Sequence, residues 1–299
     1  MESWREQPWV FVGFVMPAFI WLLLFFLVPL GMVWVLGFGE RTGPVDIQIT
    51  WTFGNYIKAF DSIYLWLFAK TLLIAAIATI LCLIVSFPLA LAISFATPAT
   101  KSLLLMLVIL PFWTNLLIRT YALIAVLRSK GYVNYGLEYL WLGAKFIAAP
   151  LGLDGFLGAR FQPAELLYSN TAVVFGIVYV YLPFMVLPLY ASLERLDRSL
   201  LEASLDLGAS QWRTFWSVTV PLAAPGIVSG IILVFIPALG TFLISDLLGG
   251  PHSELIGNVI ERQFKAANNL PLGSAMSFIL LYLTFAALIL RARWSERDG

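Results

Sequence analysis

The chain has 299 residues but only one cysteine and one histidine, and only 12% of its residues are charged. Each scarcity excludes a class of protein. A single cysteine, Cys82, set in an apolar run, cannot build a disulfide framework. The single histidine, His252, stands beside a proline in a loop, where a lone imidazole is ordinarily solvated, and no H-E-x-x-H, C-x-x-C or G-x-S-x-G accompanies it. These absences remove the usual metal and nucleophile constellations, so no catalytic or metal-binding residue is expected. No G-x-x-x-x-G-K-[ST] phosphate loop occurs, so if ATP drives this protein another chain must hydrolyse it. A net charge of +1 with no basic block argues against a nucleic-acid partner.

Apolar surface is what the chain has in excess. Its hydrophobic fraction is 61% and its mean hydropathy +0.90, more than a soluble globule of this size can hide. These values point to an all-α polytopic membrane protein, since backbone amides in lipid must be bonded within their own segment. Six stretches are long and apolar enough to cross a bilayer, about Trp9–Leu36, Trp66–Ala96, Ser102–Leu127, Leu166–Ala191, Val218–Ser245 and Pro271–Leu290. The first is too long for a signal-peptide core and is expected as a retained span. Pro29, Pro88, Pro111, Pro183, Pro188, Pro225 and Pro237 fall inside spans, where neighbouring helices re-satisfy the freed carbonyls. Gly226 and Gly230 form a G-x-x-x-G that permits close helix approach. No separate soluble domain is long enough to stand alone, so residues 1–299 read as one membrane domain.

An even number of spans puts both termini on one side. With cytoplasmic termini, the inner segments carry eight basic residues (Arg5, Lys101, Arg195, Arg198, Arg213, Arg291, Arg293, Arg297), and the outer segments carry eight as well (Arg41, Lys58, Arg128, Lys130, Lys145, Arg160, Arg262, Lys265). The raw count ties, and only the greater length of the outer segments favours termini inside. Among those outer segments, Gly37–Leu65 is polar and turn-rich. Arg128–Glu165 holds a helical stretch near Val133–Leu142 and then a Gly/Pro-rich section. Asp246–Leu270 holds an amphipathic piece, with Leu255, Ile256, Val259, Ile260 and Phe264 at helical spacing and Glu254, Asn258, Glu261 and Lys265 placed otherwise. Charges within or near spans are Lys70, Arg119 and Asp246. Lys70 and Asp246 sit near span ends, where snorkelling or an interface location explains them. Arg119 is deeper, and either lines a polar path or bonds carbonyls of a kinked neighbour.

The loop between the fourth and fifth spans, residues 192–217, is the most informative segment. Ser199 followed by Glu202 reads as a capping box starting a helix at Leu200. Gly208 reads as its left-handed stop, and Ser210 as the cap of the next helix. Glu202 and Asp206 then lie one turn apart on one face. A short helix closed at both ends suits the transmission of force from a soluble partner. The segment resembles the E-A-A-x-x-x-G motif of ABC importer permeases, which is followed by nine residues and then I-x-L-P. Here Glu202, Ala203 and Gly208 fit, nine residues follow (Ala209–Ser217), and Val218-Thr-Val-Pro221 closes the pattern. Ser204 replaces the third alanine, Val218 the isoleucine and Val220 the leucine. In that family the loop is cytoplasmic and docks on the ATPase. The resemblance therefore implies cytoplasmic termini, the type I importer permease fold, and coupling through Ser199, Glu202, Ala203, Asp206, Gly208 and Pro221.

Leu110–Leu123, Val178–Asp197, Ser245–Phe264 and Pro271–Ala275 sharpen this to a resemblance with the first permease of spermidine/putrescine ABC importers, the PotB/PotH type. Many relatives place an acid where this chain has Thr241. The resemblance implies a multi-pass bacterial inner-membrane subunit working with an ABC ATPase homodimer that holds ATP and Mg, a second permease and a periplasmic substrate-binding protein. No cofactor is expected in this chain. A polyamine path needs carboxylates for the ammonium groups and aromatic faces for cation–π contact. The candidates are Asp246 and Glu261, with Trp113, Tyr121, Tyr179 and Tyr181. Asp246 reads as ending the fifth span, its charge adding to the last helical carbonyls. Related permeases carry opines, phosphonates, ferric iron, sulfate or thiamine, and Arg119 is the feature leaning toward an anion. A membrane-embedded enzyme lacks convergent acid, base or metal groups here, and a stand-alone carrier would show inverted repeats.

Overall fold

A computed structural model of the chain describes residues 8–43, 46–148 and 160–295. Arg5, Arg297 and the middle of the Gly/Pro-rich section lie outside the described residues, as do the side chains of Arg291 and Arg293. In chain order the elements are α1 (Pro8–Leu22), α2 (Val28–Leu36), β1 (Gly39–Arg41), β2 (Ile47–Ile49), α3 (Gly54–Ala59), α4 (Ser62–Phe95), α5 (Pro98–Ile109), α6 (Leu116–Leu127), α7 (Tyr132–Ala148), α8 (Asn170–Glu194), α9 (Arg198–Asp206), α10 (Gln211–Thr214), α11 (Val220–Leu222), α12 (Ala224–Gly240), α13 (Leu243–Leu248), α14 (Ile256–Phe264) and α15 (Leu270–Ser295). Among the described residues, four helical stretches are long and apolar enough to cross a membrane alone, and two bent pairs raise the number to six when each pair counts as one span.

Both bent pairs correct the expectation of continuous helices. Within the expected span Ser102–Leu127, α5 passes into a 3₁₀ turn at Leu110–Trp113, and the chain then turns by 99° into the stretch that begins with α6. Thr114 is extended, at φ −85° and ψ 147°, and the Asn115 side chain accepts the Leu117 N–H at 2.8 Å to start α6 afresh. The Asn cap meets the orphan donors of a new helix, which stabilises the break where a fully apolar sequence would have none. The expected span Val218–Ser245 begins instead in a π-helical turn, Phe215–Thr219, bends by 65° between the stretch ending at Leu222 and α12, and stops at Gly240. Thr241 is extended, and residues 243–248 form the separate α13.

The chain's contacts divide it into two compact units, residues 1–66 with 259–299 and residues 67–258. In the first, α1 and α2 join through a π-helical turn at Leu23–Leu27, next to Pro29, whose missing N–H breaks the regular ladder. None of the most apolar window of Val12–Leu36 is buried within the chain. The segment expected to be polar and turn-rich is a packed device. β1 and β2 pair antiparallel with Gly39 opposite Ile49, and buried Asn55 donates to the Gly37 and Gly39 carbonyls at 3.1 and 2.7 Å. The Phe38 ring gathers Trp34, Trp51, Phe53 and Tyr56 at centroid distances of 5.0, 5.8, 5.4 and 5.1 Å. The Trp34 indole N–H donates to the Tyr282 hydroxyl of α15 at 2.7 Å.

In the second unit α8 is the central element, with Val173, Ile177, Met185, Val186 and Leu189 wholly buried. Glycines bring α12 against it. A Cβ at Gly226 would sit 2.6 Å from the Ser192 Cβ and 2.7 Å from the Pro188 carbonyl, and one at Gly230 2.5 Å from the Met185 sulfur. The G-x-x-x-G therefore serves packing, as its spacing implies. On the same helix, α13 approaches at Gly176, where a Cβ would meet Leu248 at 2.4 Å.

Candidate functional site

The loop helix α9 is closed at both ends, although not as the capping-box pattern implies. Its N-cap is Asp197, extended at φ −69° and ψ 116°, whose carboxylate accepts the Ser199 N–H at 3.0 Å. Ser199 lies inside the helix and Glu202 cannot complete a capping box with it. The carboxylate one position outside the helix is the stronger acceptor for orphan N–H groups and complements the helix dipole. That hydrogen bond holds the Asp197 carboxyl below the usual carboxylate range. At the other end Gly208 has φ +84°. The Gly208 N–H donates to the Leu205 carbonyl at 2.9 Å and the Ala209 N–H to the Ser204 carbonyl at 3.2 Å, the paired bonds of a Schellman stop. Ser210 caps α10 by accepting the Arg213 N–H at 3.3 Å.

Glu202, Ala203, Asp206, Gly208 and Pro221 are all exposed, and Leu207 is 89% exposed. A cavity of about 630 Å³ runs along the helix, lined by Ala203, Ser204, Gly208, Arg213 and Pro221 among others. A second, of about 570 Å³, lies toward Arg195, Asp197, Gly226 and Ser229. The arrangement presents a rigid helix, acidic at Glu202 and Asp206 and apolar at Leu207, with recesses beside it that suit a protein surface better than a small molecule.

The candidate path residues are scattered. Trp113 is 83% exposed, Tyr121 57% and Tyr179 38%. The Tyr181 hydroxyl points toward the Pro237 carbonyl at 3.5 Å and faces Thr241 and Arg119. Arg119 is buried. Glu261 pairs with Lys265 at 2.8 Å, one turn along α14. Asp246 needs a correction. It does not end the fifth span but lies in the first turn of α13, six residues past Gly240 and exposed. The carbonyl end of α12 therefore does not reinforce its charge. Lys70, near its span end, is only partly buried. Its ammonium donates to the carbonyls of His252 and Glu254, the latter at 3.1 Å, while Thr71 accepts the Ile256 N–H at 2.9 Å.

Two asparagines went unremarked as structural residues. Asn258, assigned to the polar face of the amphipathic piece, is buried. It accepts from the Ser245 hydroxyl and from the Leu255 N–H at 3.1 Å and donates to the Phe242 carbonyl at 3.0 Å. Its place between Leu255 and Val259, one turn apart on the buried face, was the available signal. Asn134 clasps Ala164, donating to its carbonyl at 3.0 Å and accepting its N–H at 2.8 Å. Among the described residues no three His, Cys, Asp or Glu side chains converge to hold a metal ion.

Up to six candidate spans among the described residues, with an exposed, doubly closed helix in the loop after the fourth, give the chain the ABC importer permease fold. A bacterial alginate ABC transporter, solved with its alginate-bound periplasmic protein, superposes over 100% of this chain and 98% of its own with a TM-score of 0.70 at 16% identity, a likeness of fold. No family model matches. The spermidine/putrescine transport system permease protein PotB of Salmonella typhimurium LT2 is 40% identical over 276 residues, 92% of this chain and 90% of that protein. PotB of Escherichia coli K12 is 41% identical over 260 residues, 87% and 88% of the two chains. The chain belongs to the PotB family of transport-system permeases.

Proposed function

We propose that this chain is the transmembrane subunit of a bacterial inner-membrane ABC importer that forms half of the translocation path for polyamines, spermidine or putrescine. The observation that carries the reading is identity of 40% with a spermidine/putrescine permease across 92% of the chain. In this reading the six spans act as one permease domain with both termini cytoplasmic. A second permease completes the path, a periplasmic binding protein delivers the cargo, and an ATPase homodimer holding ATP and Mg supplies the energy. The chain itself carries no ATPase chemistry and no cofactor.

The loop helix α9 transmits the motion. A helix capped by Asp197 and stopped at Gly208 moves as a rigid piece, and Glu202 and Asp206 give its exposed face a charge for the ATPase to recognise. Ser199 supports the first turn from within, and Pro221 sits where the following helix bends into the membrane. On the outer side Asp246 draws the ammonium groups, while Trp113, Tyr121, Tyr179 and Tyr181 offer faces for cation–π contact and for the methylene stem.

The test is uptake of labelled spermidine and putrescine by vesicles holding the assembled complex and its binding protein, with wild type, Asp246→Asn and Asp246→Glu compared. Asp246 is exposed and outside any cap, so the Asn variant alters charge while leaving the fold intact. Uptake should fall several-fold in Asn and recover in Glu at equal expression. A binding protein that holds neither polyamine, in a parallel thermal-shift screen against polyamines and anions, would overturn the cargo.

A further inference from the structure

The segment between α2 and α4 turns its apolar side chains outward. Asn55 and Ala59, one turn apart on α3, are buried, and Asn55 donates inward to the Gly37 and Gly39 carbonyls. Phe53, Ile57 and Phe60 recur at helical spacing on the opposite side and are 64%, 69% and 59% exposed. Trp51 is 61% exposed and stands at φ +52°, a strained conformation for a bulky side chain. The Thr52 N–H, donating to the Phe38 carbonyl at 3.0 Å, holds that turn. A short helix in water is patterned the other way, with its polar side out. Water is therefore the wrong solvent for this face.

Ring contacts fix its level. Trp34 lies in the last turn of α2, within the candidate span that ends at Leu36. Its ring is 5.0 Å from that of Phe38, which in turn lies 5.8 Å from Trp51 and 5.4 Å from Phe53. Two ring contacts therefore separate the exposed rings from the end of a span. On the other flank α4 runs for 34 residues, about 50 Å against a hydrocarbon core of ~30 Å. Its first turns carry the exposed Ile63 and Trp66, so the apolar surface continues along the chain onto a span. At this depth aromatic side chains settle with the ring among acyl carbons and any polar edge among headgroups. Lys58, exposed on the same short helix, has a stem long enough to carry its ammonium to the phosphates. Phe53, Ile57 and Phe60 present only carbon, with no donor or acceptor for a protein partner to read, and acyl chains match that chemistry.

We infer that Trp51, Phe53, Ile57 and Phe60 form an interfacial anchor, immersed at the headgroup–acyl boundary of the bilayer between the first two spans. The anchor holds the β1–β2 hairpin and the Phe38 ring cluster down on the membrane surface instead of leaving them free in solution. Immersion stands on the spans alone, and the orientation proposed above sets only the side, the outer leaflet.

The experiment uses the assembled complex in phospholipid vesicles, with one nitroxide label at a time on this chain. Cys82 is the sole cysteine and is wholly buried, so the unsubstituted chain is the blank. Ile57→Cys and Phe60→Cys carry the probe, since neither side chain belongs to the Phe38 ring cluster. Lipids labelled on the headgroup and midway along the acyl chain bracket the depth. The ratio of oxygen to nickel-chelate collision rates should lie between those brackets for both probes, several-fold above the headgroup standard. A ratio at or below that standard puts the face in water and overturns the inference. Probes shielded from both quenchers overturn it too, because protein then covers the face, and repeating the measurement without the binding protein tells whether that protein or another subunit does so. If neither variant assembles, the wild-type complex is irradiated with a diazirine lipid whose reactive group sits at the headgroup–acyl boundary. Adducts should appear within residues 51–60, and adducts confined to the spans overturn the anchor.

Discussion

The hydroxyls of Ser204 and Thr214 lie 3.0 Å apart. Ser204 stands where the E-A-A pattern has its third alanine, so the departure adds a hydrogen bond between α9 and α10. Both ends of the turn at Gly208 are thereby tied, one by the Schellman bonds and one by this side-chain contact. In the coupling role proposed above, a push on α9 would be delivered to the helix that bends into the fifth span rather than lost in the turn.

Gly208→Val should uncouple transport while leaving the spans inserted. An added Cβ meets open space there, so only the backbone at φ +84° resists, at about 1–2 kcal/mol for a β-branched residue. Gly208→Asn, which tolerates that region, should behave nearly as wild type. ATPase co-purification and uptake are measured together, and wild-type values for both in the Val variant would refute the role of the turn.

Asp197→Ala should disturb α9 more than Ser199→Ala, because the carboxylate of Asp197 and not the hydroxyl of Ser199 meets the orphan N–H groups. The Asp197 carboxyl sits below the usual carboxylate range. Its contribution is therefore complete above that range and is lost as pH falls through the lowered value. Amide-exchange protection across residues 199–206, taken relative to intrinsic exchange at each pH, should be unchanged through neutral pH and fall only at strongly acidic pH. Equal exchange in both alanine variants would contradict this assignment.

Gly226→Ala should be more damaging than Gly230→Ala. The first Cβ would press on the Pro188 carbonyl and the Ser192 Cβ, groups held by α8 itself. The second meets the Met185 sulfur, which can move aside. Overpacking of about 1–3 kcal/mol is expected for Gly226→Ala and less for Gly230→Ala, measured as thermal midpoints of the purified complex. The reverse order would show that α8 yields more readily than the thioether.

Tyr56→Phe should leave stability at neutral pH unchanged or slightly higher, since the buried Tyr56 hydroxyl has no partner. Burial, with the Tyr282 phenol adding, pushes its pKa up to about 12. A phenol raised in the folded state contributes stability that is complete below its ordinary pKa of 10.0 and lost as pH rises through about 12. The Phe variant should therefore resist unfolding between those values better than wild type, and identical alkaline melting curves would discount the effect.

Much of this architecture was legible because it depends on local chemistry. Spans need only length and apolarity. Gly208 needs only the left-handed conformation, and Ser210 only an orphan N–H nearby. The cap at Asp197 was missed because Ser199 and Glu202 match a local pattern equally well, and the choice between two adjacent acceptors is made by the backbone at residue 197. The break at Thr114–Asn115 was missed because an apolar count does not register one extended residue. An apolar count is equally blind to the extended Thr241, which ends α12 and places Asp246 in a separate helix.

By itself the sequence determined the solvent, the class of fold, the closed loop helix and the family, because hydropathy, spacing and turn preference act over a few residues at a time. Only the tertiary structure decided which polar groups are satisfied. Asn258 finds Ser245, Leu255 and Phe242, and Lys70 finds the His252 and Glu254 carbonyls. Arg119 finds no carboxylate among the described residues. Hydrogen bonds join groups far apart in the chain at fixed distances and angles, and no local pattern encodes the arrangement of helices that brings those groups together.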